Sequence, residues 1–543
     1  MDNDDQIPSR YAGRQNISRF SVFDIASLND TIYPGWDYSG PNAYACSVLL
    51  LLYFVPEIRC AMLHSQMRNF DQVVAGKKAG KVNEAQMTTE LGFLYHQIDS
   101  LAAYSMVYPK PPGEIQDPCQ SILGAFVPAN FLSTFMTMPE ASALALLDGN
   151  PAATEVARRP EAFYRFLLHH LDSELSSANI TKKKSTKSNS SQTKLIDSLY
   201  GMNAVSMNQF VNEGAGTESI SVTRSNTVDL AYEAFLSKTG NTPTLPDFGE
   251  LLRFSLCKDI PLRAWCNSTK QYETVIQRKI ITSLPVILSL SCSCAGVNGT
   301  ERLPIWRKID GDDNWLPEMI EIEIEESGDI ITRQLRGKEW QEYKGEGLPK
   351  GIAEKVKQAA SKNKEDQQLV RYQLQAIIIF VNNESGAESK EFSGHHVLHH
   401  RIPKSHTREI LLKQLDITQN HLISLSDANS ERHLTLIKNV TAQDLEKRIE
   451  KIKKKLKALD ENEKTHEWVL FNGPNVTSTV IEDALAFHVP FKEPCILTYR
   501  QVDTEPEVIN TPKVEISAHV LNNIRQPGKT IRFHCLLFLK KNV

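Results

Sequence analysis

Residues 42–54 read Asn-Ala-Tyr-Ala-Cys-Ser-Val-Leu-Leu-Leu-Leu-Tyr-Phe, an apolar run that ends shortly before Pro56. A helix that is apolar on nearly every side is buried, and a proline soon after the run marks its end. The run is too short to cross a bilayer, because a spanning helix needs about 20 apolar residues. This stretch therefore predicts a helix in the centre of a folded core.

The rest of the chain divides into an α-rich part and a β-rich part. Apolar residues at helical spacing predict helices over residues 90–104, 130–135, 141–147 and 161–175. Short β-prone runs bounded by turn residues predict strands over residues 272–276, 286–291, 319–324, 374–381, 396–402, 467–471 and 495–499. The predicted fold class is therefore α+β, with a helical half and a mostly antiparallel β half.

Composition excludes several classes of protein. With 41% hydrophobic and 23% charged residues, the 543-residue chain is typical of a globular protein rather than a disordered or fibrous one. Its 61 basic and 65 acidic residues leave a net charge of −4, which indicates no general attraction to nucleic acid or to anionic membranes. Nine sparse cysteines favour free thiols in a reducing compartment. Because no signal-peptide pattern is evident, we expect a soluble intracellular protein.

Changes in composition along the chain suggest its organisation. Residues 1–37 contain many turn formers and read as an extended linker, residues 38–503 as one domain, and residues 504–543 as a β-prone tail. Three polar segments, near 176–193, 325–366 and 404–465, are predicted to be loop insertions, since extra loop length costs little closure entropy. Residues 445–459 space their Leu and Ile residues as an amphipathic helix does.

Two short strings on predicted strands carry residues of chemical interest. They are Gly394-His395-His396-Val397 and Trp468-Val469-Leu470-Phe471-Asn472. Their order after a buried helix resembles the papain-like ubiquitin-specific protease family. In that family a cysteine nucleophile caps the first buried helix, a Gly-His-Tyr strand supplies the base, and a Trp-x-x-Phe-Asp strand orients the base. The resemblance implies the papain-like fold of those proteases.

Further strings resemble, more closely, the ubiquitin-hydrolase-like middle region of the catalytic subunits of PAN poly(A)-nuclease deadenylation complexes. Each string is weak alone, but their shared order from about Pro8 to Arg500 is difficult to produce by chance. The strings are Pro8-Ser9-Arg10-Tyr11, residues 18–24, 38–40, 42–44, 90–96, 130–132, 139–144, 263–266, 283–288, 468–472 and 494–499.

The resemblance implies a site that has lost its nucleophile. Aligning Asn42-Ala43-Tyr44 with the Thr-Cys-Tyr of the protease motif places Ala43 at the nucleophile position, and a methyl group cannot attack a carbonyl. His395 matches the base and Asn472 matches the residue that orients it. We therefore predict no catalytic residue, only the vestigial positions Ala43, His395 and Asn472, with the last two as a hydrogen-bonded pair joining two strands.

Two alternative functions stay open. The first is an active cysteine deubiquitinase that uses Cys46, His395 and Asn472, although it needs a shift of register that disturbs the helix entry, and core packing is the favoured role of Cys46. The second is an RNA-binding module that acts through the lysine runs at residues 182–184 and 453–455. Affinity for poly(A) that falls with salt would support the second.

Two clusters invite a metal interpretation, and neither is complete. His396, His399 and His400 have no nearby carboxylate or cysteine pattern, so we expect surface histidines. Cys257, Cys266, Cys292 and Cys294 fall where ubiquitin-specific proteases often carry a zinc ribbon, but the paired Cys-x-x-Cys spacing is broken. We therefore predict a metal-free finger and no cofactor.

The resemblance implies a catalytically inactive scaffold of a cytoplasmic poly(A)-specific deadenylase that acts in mRNA decay, with processing bodies as a further location. Implied partners are the kinase-like regulatory subunit, an exonuclease domain and poly(A) RNA, with no membrane and no covalent ubiquitin chemistry. The only Asp-x-Glu near the end, at residues 503–505, abuts Pro506 instead of lying in an apolar strand, so we expect no exonuclease site. The chain would then be a fragment, a split gene product or a free-standing paralogue, and not an enzyme as it stands.

Overall fold

A computed structural model describes most of the predicted domain. The described residues are 7–12, 29–36, 42–64, 87–104, 125–126, 128–148, 158–180, 194–210, 219–230, 232, 247–266, 269–292, 314–325, 329–345, 354, 368–382, 394–426, 441–462, 466–487, 489 and 491–502. The predicted tail at 504–543 and residues 181–193 of the first predicted insertion lie outside this set.

The described helices cluster mainly in the first half of the chain. They are α1 (Ala45–Tyr53), α2 (Pro56–His64), α3 (Met87–Tyr104), α4 (Ala129–Met136), α5 (Pro139–Ala143), α6 (Arg159–Ile180), α7 (Leu195–Tyr200), α8 (Phe248–Leu256), α9 (Lys404–Ser426), α10 (Ala442–Glu461) and α11 (Ile481–Leu485). All nine residues of α1 are buried, and α1 packs against α6. The prediction of a core helix at this point is therefore confirmed.

The described strands run along the whole chain. They are β1 (Gly35–Trp36), β2 (Ala125–Phe126), β3 (Met202–Phe210), β4 (Ser219–Ser225), β5 (Val228–Asp229), β6 (Cys257–Cys266), β7 (Gln271–Ile281), β8 (Ile287–Ser291), β9 (Met319–Ile324), β10 (Ile330–Arg336), β11 (Glu339–Tyr343), β12 (Gln368–Asn382), β13 (Gly394–Pro403), β14 (His466–Asn472), β15 (Asn475–Thr479) and β16 (Lys492–Gln501). Each strand predicted from the sequence lies within or overlaps one of these.

A ten-stranded sheet organises the molecule. Seven of its strands pair in the order β11-β10-β9-β12-β13-β14-β15. Strand β16 also pairs with β12, β8 pairs with β16, and β5 pairs with β8. Every pairing is antiparallel except that of β5 with β8. A separate antiparallel sheet, β4-β3-β7-β6, forms a finger, and β1 pairs with β2 in parallel.

Alternating side chains bury both faces of the large sheet. Leu398 and Phe471 belong to one core with α1, whereas their neighbours Val397 and Leu470 belong to a second core with α8. Such alternation is expected because successive residues of a strand point to opposite faces. The sheet therefore separates a helical core from a second core that also contains Tyr11.

The segment predicted as a loop insertion at 325–366 contains two strands of the large sheet, so that prediction is wrong there. Strands β10 and β11 extend the sheet beyond β9. The buried face of β10 carries Thr332 and Gln334, which bond to the backbone of Gly249 at distances of 2.6 and 2.8 Å. These polar side chains interrupt the apolar alternation by which a strand is recognised.

The segment at 404–465 forms a helical hairpin of α9 and α10. Helix α10 contains the amphipathic helix predicted at 445–459, but α9 was not predicted. Polar residues again break the apolar stripe: Gln414 and Thr418 are fully buried, and Gln414 Nε2 donates to the Ala102 carbonyl at 2.7 Å. The helix predicted at 141–147 is shorter, because α5 ends at Ala143 and Ala145 adopts a positive φ of 55°.

Among the described residues, no helix is by itself long and apolar enough to cross a membrane. Helices α1 and α2 pass that test only as a pair bent by 95°.

Candidate functional site

Ala43, which the sequence predicts to be a vestigial site position, lies in the turn that leads into α1. Asn42, with a φ of 60°, is fixed by its side-chain oxygen, which accepts from the Asp148 N–H at 2.7 Å. The Ala45 and Cys46 amides then donate to the carbonyls of Asn42 and Ala43 at 3.0 and 3.1 Å. Hydrogen bonds therefore fix the backbone at the start of α1, but the side chain of Ala43 is only a methyl group.

Cys46 lies inside the core. Its exposed fraction is 0%, and it belongs to the helical core with the rest of α1. A nucleophile must reach its substrate, so this burial disfavours Cys46 as a nucleophile. It fits the packing role that the sequence also suggested for Cys46.

The structure brings His395 and Asn472 together. They lie on β13 and β14, which pair with Leu398 opposite Phe471, and Asn472 influences the titration of His395. Burial lowers the pKa of His395 to about 4, against the opposing effects of the Tyr11 backbone and of Asn472. A base with so low a pKa is poorly matched to proton abstraction near pH 7.

The N-terminal turn, residues 8–12, lies against this pair. The Tyr11 amide donates to the Pro8 carbonyl at 2.8 Å and closes the turn. Asn472 Nδ2 donates to the carbonyls of Arg10 and Ala12 at 2.9 and 3.3 Å. The predicted pair therefore binds backbone of the segment that the sequence indicated only as a linker.

Tyr11 is fully buried in a polar pocket beside this pair. Its hydroxyl donates to Asp483 Oδ2 at 3.0 Å, so the 2.8 Å contact with His399 Nε2 is one in which the imidazole donates. The Lys492 ammonium lies 4.3 Å from the centre of the Tyr11 ring and donates to the Asp483 carbonyl at 2.8 Å. Side chains from β13, α11 and β16 thus converge on one tyrosine.

Electrostatics of the pocket follow from burial. Burial lowers the pKa of Lys492 to about 8, although Asp483 opposes this shift. Burial alone would raise the pKa of Asp483, but Lys492, followed by His399, holds it below its ordinary value. Burial, with Lys492 adding to it, also lowers the pKa of His399 to about 3. At neutral pH the pocket therefore contains a neutral His399 beside an Asp483–Lys492 ion pair.

The prediction that His396, His399 and His400 are surface residues is wrong. Their exposed fractions are 4%, 0% and 4%. His396 and His400 do share a face of β13, but each packs on an aromatic ring, with centroid distances of 5.2 Å to Phe380 and 4.6 Å to Phe54. Among the described residues, no three His, Cys, Asp or Glu side chains form a group that could hold a metal ion.

The cysteines of the finger region are also scattered. Cys257 and Cys266 stand at the two ends of β6, about 30 Å apart at the usual rise of a strand. Cys292 is buried in the large sheet, where its amide donates to the Cys495 carbonyl at 2.9 Å. Cys294 lies outside the described residues. Cys257 and Cys266 are too far apart to ligate one zinc ion.

Comparison with known protein families assigns most of the chain to one family. The sequence pattern of the family described as ubiquitin carboxyl-terminal hydrolase matches residues 35–476. The chain belongs to the ubiquitin carboxyl-terminal hydrolase family. Its α+β fold is the fold expected from the resemblance.

Relatives within this family are subunits of deadenylation complexes. The chain is 28% identical over 290 residues to the human PAN2-PAN3 deadenylation complex catalytic subunit PAN2, covering 52% of the chain and 21% of that protein. For the Aspergillus niger subunit the identity is 22% over 513 residues, covering 93% of the chain and 33% of that protein. The chain therefore spans only a fifth to a third of the length of these relatives.

Solved structures show the same fold. The Neurospora crassa Pan2 catalytic unit, with protease and nuclease domains, matches with a TM-score of 0.53 and 17% identity, over 91% of this chain and 61% of that one. The Saccharomyces cerevisiae PAN2 pseudoubiquitin-hydrolase matches with a TM-score of 0.50 and 14% identity, over 92% and 95%. The chain is thus similar to the pseudo-ubiquitin-hydrolase region of Pan2 proteins.

An Asn472→Asp variant is expected to destabilise the fold by about 1–3 kcal/mol. A carboxylate cannot donate, so the Arg10 and Ala12 carbonyls would lose their donor and face a negative charge. Urea unfolding measures the loss. Asn420→Asp, on the exposed surface of α9, is the matched control. Equal stability of the two variants would contradict the role of Asn472 as a donor.

Proposed function

We propose that the chain is a catalytically inactive ubiquitin-hydrolase-like scaffold of a cytoplasmic poly(A)-specific deadenylase. The observation that carries the proposal is the methyl group of Ala43 at the position that the resemblance gives to the nucleophile, together with Asn472, whose amide donates to the chain's own backbone. The relatives named as deadenylation subunits support the assignment to that complex. A fold can keep its packing as a binding platform after its chemistry has been lost.

The scaffold would contact the partners expected of that complex, namely the regulatory subunit, an exonuclease domain and poly(A) RNA. Its exposed lysines are one candidate for RNA contact: Lys453 and Lys454 are exposed on α10, whereas Lys455 is half-buried and burial lowers its pKa. Binding of poly(A) that weakens with salt and is lost on Lys453→Glu/Lys454→Glu would support that contact. The lysines at 182–184 lie outside the described residues.

Absence of hydrolase activity is directly testable. The purified chain is expected not to release coumarin from a ubiquitin-coumarin substrate and not to react at any cysteine with a ubiquitin vinyl-sulfone probe. An active ubiquitin-specific protease assayed in parallel controls for substrate quality. Hydrolysis by the wild-type chain that disappears in Cys46→Ala would contradict the proposal and support the deubiquitinase alternative.

Membership of the complex needs a separate experiment, because lack of hydrolysis does not establish it. The full chain is expected to co-purify with the regulatory subunit of the deadenylation complex from the same organism. An unrelated active ubiquitin-specific protease with the same tag is the control. Equal recovery of the regulatory subunit on both proteins would count against the scaffold role.

A further inference from the structure

We propose that the pocket formed by His399, Asp483, Lys492 and Asn472 is a binding site for an Arg-Tyr turn, and that residues 8–12 of the chain fill it in cis. This inference goes beyond the scaffold function and does not depend on it. It rests on how completely the site is built around Tyr11.

The first argument is the origin of the contacts. The Tyr11 hydroxyl bonds to His399 and Asp483, which are 388 and 472 positions away in sequence. The Phe491 ring lies 5.6 Å from the Tyr11 ring between centroids. A contact that only covered the end of a strand would not require a tyrosine whose hydroxyl has two polar partners. The pocket is therefore selective for tyrosine, as a ligand site is. Burying the hydroxyl without these partners would be unfavourable.

The second argument concerns recognition of the residue beside Tyr11. The Arg10 guanidinium pairs with Asp483 Oδ1 at 2.9 Å, and Arg10 is about half exposed whereas Asp483 is 12% exposed. Asp483 therefore binds both side chains, one through each carboxylate oxygen. The Thr479 hydroxyl donates to the same carboxylate at 2.9 Å and helps to orient it. The site thus recognises an arginine followed by a tyrosine.

The third argument concerns the backbone. Asn472 donates to the carbonyls of Arg10 and Ala12 at 2.9 and 3.3 Å. The amide of Asn472 therefore holds the backbone of the bound turn. While the turn is bound, this donor is unavailable to any other peptide that enters the pocket.

Attachment in cis explains why the turn would remain bound. A ligand that belongs to the same chain as its site acts at an effective concentration that can reach the millimolar range. Even a modest intrinsic affinity of the turn then keeps the site filled. A free peptide would then bind the wild-type chain poorly, because it must displace the tethered turn. Removing the contacts of the tethered turn is expected to open the site.

A peptide-binding experiment tests this exchange. The full chain carrying Arg10→Ala and Tyr11→Ala is titrated into a fluorescein-labelled acetylated peptide of residues 6–13, and anisotropy is recorded. We expect this variant to bind at least tenfold more tightly than the wild-type chain, and at least tenfold more tightly than it binds the same peptide with alanine in place of tyrosine. Tyr272→Ala, which removes a tyrosine that is 63% exposed on the finger, is the matched control and should bind no better than wild type.

Several results would overturn the proposal. They are equal binding by wild type and variant, binding that ignores the tyrosine, and no binding at 1 mM by a variant that unfolds cooperatively. If the variant does not fold, trypsin cleavage after Arg10 in the native wild-type chain is the second measurement. The docked turn should make that cleavage at least a hundredfold slower than in the free peptide, and equal rates would refute docking.

Discussion

Three buried histidines on β13 resist protonation, so lowering the pH from 6.5 to 5.5 is expected to make them destabilise the folded chain by roughly 3 kcal/mol in all. Burial is the largest cause in each case and lowers the pKa of His395 to about 4, and of His399 and His400 to about 3. In the unfolded chain these groups take up protons near pH 6.5.

The sign follows from proton counting. Between pH 6.5 and about 4 the unfolded state binds protons that the folded state does not, so acid favours unfolding by about 1.4 kcal/mol per pH unit for each histidine. The stability contributed by their neutral forms is complete above pH 6.5 and is lost as the pH falls toward the folded-state values. Since domains are stable by only about 5–15 kcal/mol, this effect is large.

Urea unfolding at pH 7.5, 6.5 and 5.5 measures this loss. His400→Phe keeps a ring against Phe54 but cannot titrate, so its loss of stability between pH 6.5 and 5.5 should be about 1 kcal/mol smaller than that of wild type. His169→Gln, at an exposed position of α6, should leave the slope unchanged. A stability that does not vary between pH 7.5 and 5.5 would show that these histidines are protonated in the folded chain.

Breaking the ion pair between Glu57 and Arg500 is expected to cost about 3–5 kcal/mol. Arg500 Nη1 and Nη2 donate to the two oxygens of Glu57, and the side chains are only 8% (Glu57) and 14% (Arg500) exposed. The pair joins α2 of the helical half to β16 of the large sheet. Glu57→Ala would leave the guanidinium buried without its counter-charge.

A double substitution separates the cost of the lone charge from that of lost packing. Glu57→Met with Arg500→Met removes both charges and should recover most of the stability that Glu57→Ala loses, as measured by urea unfolding. Asp259→Ala is the matched control, because Asp259 pairs with Arg278 through two contacts of 2.6 Å but is 46% exposed. It should cost about 1 kcal/mol or less. Equal losses at the two sites would contradict a buried pair.

Much of the fold was predictable from periodicity. The apolar run of α1, the helical spacing in α3 and α6, and the β-prone runs of β9, β13 and β14 all produce local patterns that survive in the structure. The predictions failed where buried polar residues occupy core positions, as Thr332 and Gln334 do in β10 and Gln414 does in α9. Their hydrogen-bond partners come from distant elements, so no local pattern reveals that they are buried.

Amino-acid identity alone establishes that position 43 carries no sulfur and that one helix is apolar all round. It also establishes that a histidine, His395, and an asparagine, Asn472, stand at the ends of two predicted strands. These are properties of single residues and of short-range spacing. Folding was needed to show that Tyr11 docks beside His395 and Asn472, and that three histidines are buried. The docking of Tyr11 depends on contacts between residues 388 or more positions apart, and the burial of His400 on the ring of Phe54. Such contacts leave no periodic trace because they arise only when the chain packs in three dimensions.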